Sequence, residues 1–370
     1  MNRLAILLFV LMCSGCSAAP NYRNVSTITQ FDKPVIASLA DELRREHEAG
    51  TFDGVILVAE GDTVLYQSAF GYADREGSVK NSTVAIFDMG SIAKTFTAAA
   101  VLQLVNNERL QLFDTIGDFY PTAPEDVKPI TIMQLLGHLS GLDNFHNDSD
   151  FELMDKAQAE SRILAMPLIA KPGEKIAYSN AGYTLLAAIV EKVSEQPFRD
   201  YVHDNLLTPL QLSHTGFYQD QRVSVNNIAR GYGGTDSGAS TFEKGLTWAL
   251  VGAGGMVTSI DDLVIWSAAL KNGTIFPAES PNLAFTEANE RWLLGSLAQV
   301  EINGEAIIQM GGSTDYGYTA LIQFVPSRNL LIALLLNAHD DKYKNATHHQ
   351  LSRNHILPIL QFKSENNGSR

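Results

Sequence analysis

Cysteine is nearly absent from this sequence: of 370 residues only Cys13 and Cys16 carry a thiol, both close to the amino terminus. From residue 17 onward there is none, which excludes disulfides, a cysteine nucleophile and thiolate metal sites from the chemistry of the remaining chain. Positive charge is scarce too. Lys and Arg number 27 against 41 Asp and Glu, for a formal net charge of −14. No dense basic cluster offers the phosphate-binding face that a nucleic-acid partner needs. The acidic excess serves solubility and names no substrate. Internal repeats and low-complexity tracts are missing, which excludes solenoids and biased linkers. What is present is apolar: 45% hydrophobic residues exceeds what a disordered chain carries, and the length suits two domains or one large composite one.

Both cysteines belong to a segment with its own grammar. Met1-Asn2-Arg3 supplies a charged start, Leu4 to Met12 an apolar run, and small residues follow as far as Ala19. Residues 1–19 therefore read as a secretory signal, since the run falls short of the roughly 20 residues of a bilayer span. Leu11 to Ser17 also resembles a bacterial lipobox, in which a cysteine after a small residue is acylated and becomes the first residue of the mature protein. Cys16 is then the lipidation site, with ordinary cleavage near Ala19 as the alternative, because Cys13 stands where such boxes usually carry Leu. Either way the expectation is an exported protein, periplasmic or held to the membrane by an amino-terminal lipid, with Asn24 to Pro34 as a tether.

Hydrophobic patterning divides the rest. Val35, Ile36, Leu39 and Leu43 recur at helical spacing between charges and predict a surface helix over Pro34 to Glu48. Two β-rich runs, 54–59 and 64–69, flank Gly61-Asp62 and predict a hairpin. Ser91 to Val105 is Ala-rich and uninterrupted up to Asn106-Asn107, so a largely buried helix starts at or just before Ser91. From Leu112 to Lys244 the pattern is mainly helical, with helices expected at Thr131–His138, Ala181–Ser194 and Phe198–Leu207, the last opened by Pro197. Strands return late: Leu297–Ile302 and Ala306–Met310 flank Asn303-Gly304, and Tyr318–Val325 and Leu330–Leu336 follow. A final helix over His348–Phe362 precedes a polar tail, 363–370. Strands at both ends with helices between predict an α/β (α+β) unit over 24–362. Its sheet comes from residues about 34–110 and 245–362, and a helical region of about 111–244 is inserted.

Three short motifs could carry chemistry. Ser91-Ile92-Ala93-Lys94 places a serine and a lysine on one face of a helix start, where a desolvated lysine can lose its charge and serve as a base for the hydroxyl. Alone the motif is weak, since a chain of this length holds about one or two S-x-x-K matches by chance. In Tyr178-Ser179-Asn180 a tyrosine next to a lysine can carry a proton and an asparagine amide can orient a substrate amide, although a packed ring and a helix cap explain the same residues. Met310-Gly311-Gly312-Ser313 ends a predicted strand, where paired glycines admit a substrate along the strand edge and leave the Ser313 N–H free, or form a bulge.

In this order, and with Phe87 to Thr97, Ile130 to Leu142, Lys171-Pro172-Gly173, and Ala253 to Leu263 around them, the motifs resemble the serine β-lactamase and penicillin-binding-protein superfamily. The match is to its class C-like serine hydrolase branch. The resemblance implies the β-lactamase/transpeptidase-like fold, an antiparallel sheet flanked by helices with an all-helical insertion. It also implies an acyl-enzyme on Ser91, proton transfer by Lys94 and Tyr178, a substrate contact at Asn180, and an oxyanion hole from the N–H groups of Ser91 and Ser313. Substrate also passes Met310, Gly311 and Gly312. The branch usually carries Lys or His where this chain has Met310, a side chain unable to bind a carboxylate. The expectation moves toward an ester or amide that needs no carboxylate. A β-lactamase or D,D-carboxypeptidase/D-aminopeptidase is the runner-up, and a non-catalytic sensor module the alternative of another class.

A small-molecule or peptide substrate is implied, with no metal and no organic cofactor. His138 is expected to be structural, His339 to sit in an exposed loop, and His348-His349 to lie on a solvated helix face. Ser259 and Asp262 resemble a capping box. No G-x-S-x-G elbow surrounds Ser91 or Ser313, which argues against an α/β-hydrolase.

Overall fold

The computed structural model describes residues 33–361 apart from 224–226, 236, 279, 303 and 340–345. The expectations for the signal segment, Cys13, Cys16, Ala19, most of the tether, Asn303, the exposure of the His339 side chain, Phe362 and the tail lie outside the described residues; the backbone of His339 is in a strand opposite Phe52, not in the loop expected. The chain opens with α1 (Lys33–Glu48), which buries Leu39 and Leu43 and keeps its charges in solvent. The hairpin β1 (Phe52–Glu60) and β2 (Thr63–Phe70) follows, then β3 (Tyr72–Asp74), β4 (Val79–Lys80) and β5 (Ile86–Asp88). A 3-10 turn at Gly90–Ile92 runs into α2 (Ala93–Asn106), every residue of which from Ala93 to Leu102 is buried. Small side chains let neighbours close around this helix on all sides, which is why it shows no polar face.

The middle contributes α3 (Ile116–Phe119), α4 (Ile132–Leu136), α5 (Lys156–Leu164), α6 (Asn180–Ser194) and α7 (Phe198–Val202). α4 is shorter than expected because Thr131 and Gln134 cap its start reciprocally and His138 adopts a left-handed φ of 57°, through which no helix continues. Beyond Val202 the expected helix becomes a π-helical turn, His203–Leu207. This stretch is not wholly helical: β6 (Gly216–Phe217) pairs with β7 (Met256–Ser259), which pairs with β5. α8 (Ile260–Asn272) starts at Ser259, whose Oγ accepts the Asp262 N–H. The Asp262 carboxylate does not return to the cap as a capping box requires; it accepts from His214 N at 2.8 Å and Thr215 Oγ1 at 2.9 Å.

The main sheet adds β8 (Trp292–Leu293), β9 (Leu297–Ile302), β10 (Glu305–Ser313), β11 (Thr319–Val325) and β12 (Leu330–His339), in the order β2-β1-β12-β11-β10-β9-β8, antiparallel throughout. Pairing of β1 with β12 joins the two ends of the chain. Strand alternation then sorts the side chains. Val55, Leu57, Ala320, Ile322, Ala333, Leu335 and Met310 belong to the core shared with α2 and α8. Ile56, Val58, Ile307, Leu321, Ile332 and Leu334 pack with Leu39 and Leu43 of α1 and with the last helical stretch. That stretch is α9 (Thr347–Leu351), a π-helical turn over Ser352–Ile356, and α10 (Leu357–Gln361), so the predicted final helix is interrupted. Among the described residues no helix is long and apolar enough to cross a membrane.

Candidate active site

Ser91 sits in the 3-10 turn and Lys94 one turn later in α2, so both side chains leave the helix on one side. The Lys94 Nζ donates to Ser91 Oγ at 3.1 Å and to the carbonyl oxygen of Ala253 at 2.6 Å. Lys94 is fully buried, and the loss of hydration pushes its pKa down to about 7, against a smaller opposing pull from the Asp150 carboxylate. A neutral amine can keep its bond to Ala253 and accept the proton of the serine. The turn itself is held by Asp88 at the end of β5. Its carboxylate accepts from Gly90 N at 2.8 Å, from Thr241 Oγ1 at 2.6 Å and from the Tyr218 hydroxyl.

Tyr178 stands on the loop that enters α6, and Asn180 is the first residue of that helix. Ser179 caps that helix, accepting from Gly182 N at 3.0 Å and donating to Asp143 O at 2.8 Å. The Asn180 N–H donates to Asn144 Oδ1 at 3.1 Å. His138 braces the same loop: its Nδ1 accepts from Ser179 N at 3.2 Å and its carbonyl accepts from Ala177 N at 2.8 Å. The ring lies 4.5 Å from that of Tyr178, and complete burial holds His138 neutral, its pKa well below the usual value. The histidine positions the tyrosine, a structural part. Lys94 Nζ lies 5.0 Å from the Tyr178 ring centre, and burial pushes the phenol above its ordinary range while the Ser91 hydroxyl pulls the other way.

The remaining expected residues lie on β10. Thr314 N donates to Tyr318 O at 3.0 Å, so by strand alternation the Ser313 N–H points to the opposite edge. β9 pairs with β10 only as far as Gln309, which leaves that edge open at Ser313. The glycines serve two different close approaches. A Cβ at Gly312 would stand 2.0 Å from Met89 O and 2.9 Å from Ser91 N, so only glycine lets the strand lie against the turn that carries Ser91. A Cβ at Gly311 would stand 2.5 Å from His348 Nε2 and 2.7 Å from His349 Nε2. The solvated face expected for these histidines is therefore wrong. His348 is buried and held neutral by desolvation, and partial burial lowers the pKa of His349 to about 4. Met310 is 3% exposed and belongs to the core, although it reaches the wall of the site.

Two cavities flank the serine. One, of about 300 Å³, is lined by Ser91, Tyr178, Asn180, Asp150 and Ser313 among others; the other, of about 430 Å³, adds Arg291, Trp292, Met310, Gly311, His348 and His349. Ser91, Lys94, Tyr178 and the open strand edge thus converge at one point.

Residues 36–353 match the family model described as Beta-lactamase. The chain belongs to the Beta-lactamase family. Protein flp of Staphylococcus aureus (strain MW2) is 28% identical over 325 residues, which cover 83% of this chain and 63% of that protein. The chain therefore spans less than two thirds of that relative. Penicillin-binding protein 4* of Bacillus subtilis (strain 168) is 27% identical over 341 residues, covering 84% of this chain and 73% of the relative. Among solved structures, the octameric penicillin-binding protein homologue from Pyrococcus abyssi superposes with a TM-score of 0.71 at 22% identity, over 90% of this chain and 80% of that one. D-amino acid amidase from Ochrobactrum anthropi SV3, complexed with L-phenylalanine, gives 0.74 at 17% identity, over 89% and 99%. The fold is β-lactamase/transpeptidase-like.

Sequence reasoning passed over several residues of this Beta-lactamase-family site. Asp88 lies inside a quoted motif, but its role emerges only from partners 130 and 153 positions away. Asp150 and Asp315, on loops, carry no pattern. The His348-His349 pair had one available signal, since paired glycines in a strand mark the close approach of another group.

Proposed function

We propose that this Beta-lactamase-family protein is a serine hydrolase that cleaves an ester or amide bond through an acyl-enzyme on Ser91. The observation that carries the reading is the fully buried Lys94 amine, 3.1 Å from Ser91 Oγ and titrating near neutrality. Lys94 in its neutral form takes the hydroxyl proton as Oγ attacks the carbonyl carbon. Tyr178, whose raised pKa keeps it protonated at rest, relays a proton to the leaving amine or alkoxide and is reprotonated from Lys94. The N–H groups of Ser91 and Ser313 take the developing oxyanion, and each such donor is worth about 10²–10³ in rate. Water then attacks the acyl group while its proton returns along the same path, releasing the acid and restoring Ser91.

The D-amino acid amidase among the structural neighbours supports an amide substrate, and kinship with Penicillin-binding protein 4* supports a second reading, cleavage of β-lactams or cell-wall D,D-peptides. Export and a lipid anchor at Cys16 belong to the proposal on the strength of the amino-terminal sequence. Incubation with p-nitrophenyl acetate followed by mass measurement is expected to show one acetyl adduct on Ser91, absent in Ser91→Ala. Full turnover by Ser91→Ala would overturn the reading.

A further inference from the structure

The smaller cavity has a chemical character that the catalytic groups do not explain. Beside Ser91 and Asn180 its wall carries two carboxylates, Asp150 and Asp315, and the rings of Phe151 and Tyr316. Among the described residues neither carboxylate is paired with Lys or Arg, and Asp315 raises the pKa of Asp150, as burial does more strongly. The Lys94 cation and the Asn147 amide pull Asp150 the other way. Two like charges held at one cavity cost stability that Lys94 offsets only at Asp150, and a bound cation relieves the rest.

The aromatic walls add a second attraction for the same ligand. The Phe151 and Tyr316 rings meet edge to face with centres 5.2 Å apart, and Phe151 stacks on Tyr218 at 6.2 Å. These rings already attract a cation on this side: Lys244 Nζ lies 4.7 Å from the centre of Tyr316 and 5.6 Å from that of Phe151, without lining the cavity. The loop bearing Asp315 is anchored, its carbonyl oxygen accepting from Thr235 N at 2.6 Å.

We propose that Asp150 and Asp315, with the Phe151 and Tyr316 rings, form an ammonium subsite beside Ser91, so that the preferred substrate carries a protonated amine on the Asn180 side of its scissile bond. Aminoacyl amides and esters fit this class; acyl groups bearing a carboxylate there are repelled. An amine in this place also disfavours protonated Lys94, which assists the base form. The inference rests on Ser91 being the nucleophile.

The test uses the full chain and matched pairs of alanine and phenylalanine p-nitroanilides, each enantiomer with a free or an N-acetylated amine, with p-nitrophenyl acetate as a neutral reference. The free amines are expected to exceed their acetylated partners in kcat/KM by about tenfold or more, chiefly through KM. Asp150→Asn and Asp315→Asn each bring that ratio toward one, and Asp150→Glu retains most of it. A ratio of one or less in the wild-type chain, with p-nitrophenyl acetate turned over at Ser91, overturns the subsite and leaves the hydrolase standing. Absence of any Ser91 adduct, with the acetate as with the anilides, overturns both.

Discussion

Gly311 and His348 meet where a side chain would otherwise stand, a Cβ on Gly311 falling 2.5 Å from the His348 Nε2. α9 is thereby seated directly on the strand that borders Ser91. Gly311→Ala is expected to force the helix outward and to cost about 1–3 kcal/mol, as overpacking of a close contact does. Urea titration measures the loss, and adding His348→Ala should recover part of it because the two changes share one contact. An Ala variant as stable as the parent would show that α9 yields without cost.

Lys94 and Ser91 make a second measurable pair. If the neutral amine is the base, kcat/KM for p-nitrophenyl acetate rises with pH through about 7, where half the Lys94 amines have lost their proton. Lys94→Arg, always charged near neutrality, should lose about 10²–10⁴ in rate. A pH–rate profile checks both, and a flat profile between pH 6 and 8 would refute the assignment.

The same residue ties stability to pH. Lys94 titrates at 10.5 in its ordinary state and at about 7 in the fold. Between these values the unfolded chain holds a proton that the folded chain has released, so stability rises with pH across the window. Below pH 7 the fold carries the full cost of a buried ammonium, on the order of 5 kcal/mol, and above 10.5 that cost is gone. Lys94→Met should therefore stabilise the protein most in acid, with the advantage shrinking toward pH 10. Urea unfolding of both proteins at pH 6, 8 and 9.5 decides it; a difference independent of pH would contradict the assignment.

The legible parts of this protein are those whose geometry is local. Ser91 and Lys94 are one helical turn apart, the Tyr178 loop ends in a helix cap, and the late strands alternate or run apolar, so a window of a few residues carries each. The roles of Asp88, Asp150 and His348 are set by groups far along the chain: Asp88 reads as any residue before a turn until Tyr218 and Thr241 arrive. His348 and His349 sit in a polar local pattern, and only the docking of α9 beside Gly311 buries the first and partly covers the second. The interruption at Ser352–Ile356 precedes Pro358, which has no N–H to donate and crowds the carbonyl four residues back, a signal that the apolar spacing of the segment overrides when it is read as a continuous helix.

Asp88 provides a test of how the Ser91 turn is held. Its carboxylate accepts three hydrogen bonds, one from the N–H of Gly90 beside Ser91. In Asp88→Asn one oxygen becomes a donor that faces donors, and a buried polar mismatch of this kind costs about 1–3 kcal/mol. The serine turn loosens with it, so kcat is expected to fall by about tenfold or more while KM changes little. Steady-state kinetics on p-nitrophenyl acetate, with thermal melting alongside, read the two effects. Unchanged kcat in a destabilised variant would make Asp88 a purely structural residue.

The second cavity bears on substrates that carry a carboxylate. Met310 cannot be charged, which leaves His348, His349 and Arg291 as the cation candidates lining its wall. His349 is protonated only below about pH 4, and desolvation holds His348 neutral well below the usual histidine range, whereas the basic form of Lys94 accumulates above about 7. No pH offers a charged histidine together with a basic lysine. Arg291 is exposed, and a surface cation contributes at most about 1 kcal/mol, a few-fold in binding. Benzylpenicillin and its methyl ester should therefore acylate Ser91 at rates within a few-fold of each other across pH 6–9, both more slowly than p-nitrophenyl acetate. A more than tenfold preference for the free acid, abolished in Arg291→Ala, would show instead that this arginine is an effective carboxylate anchor.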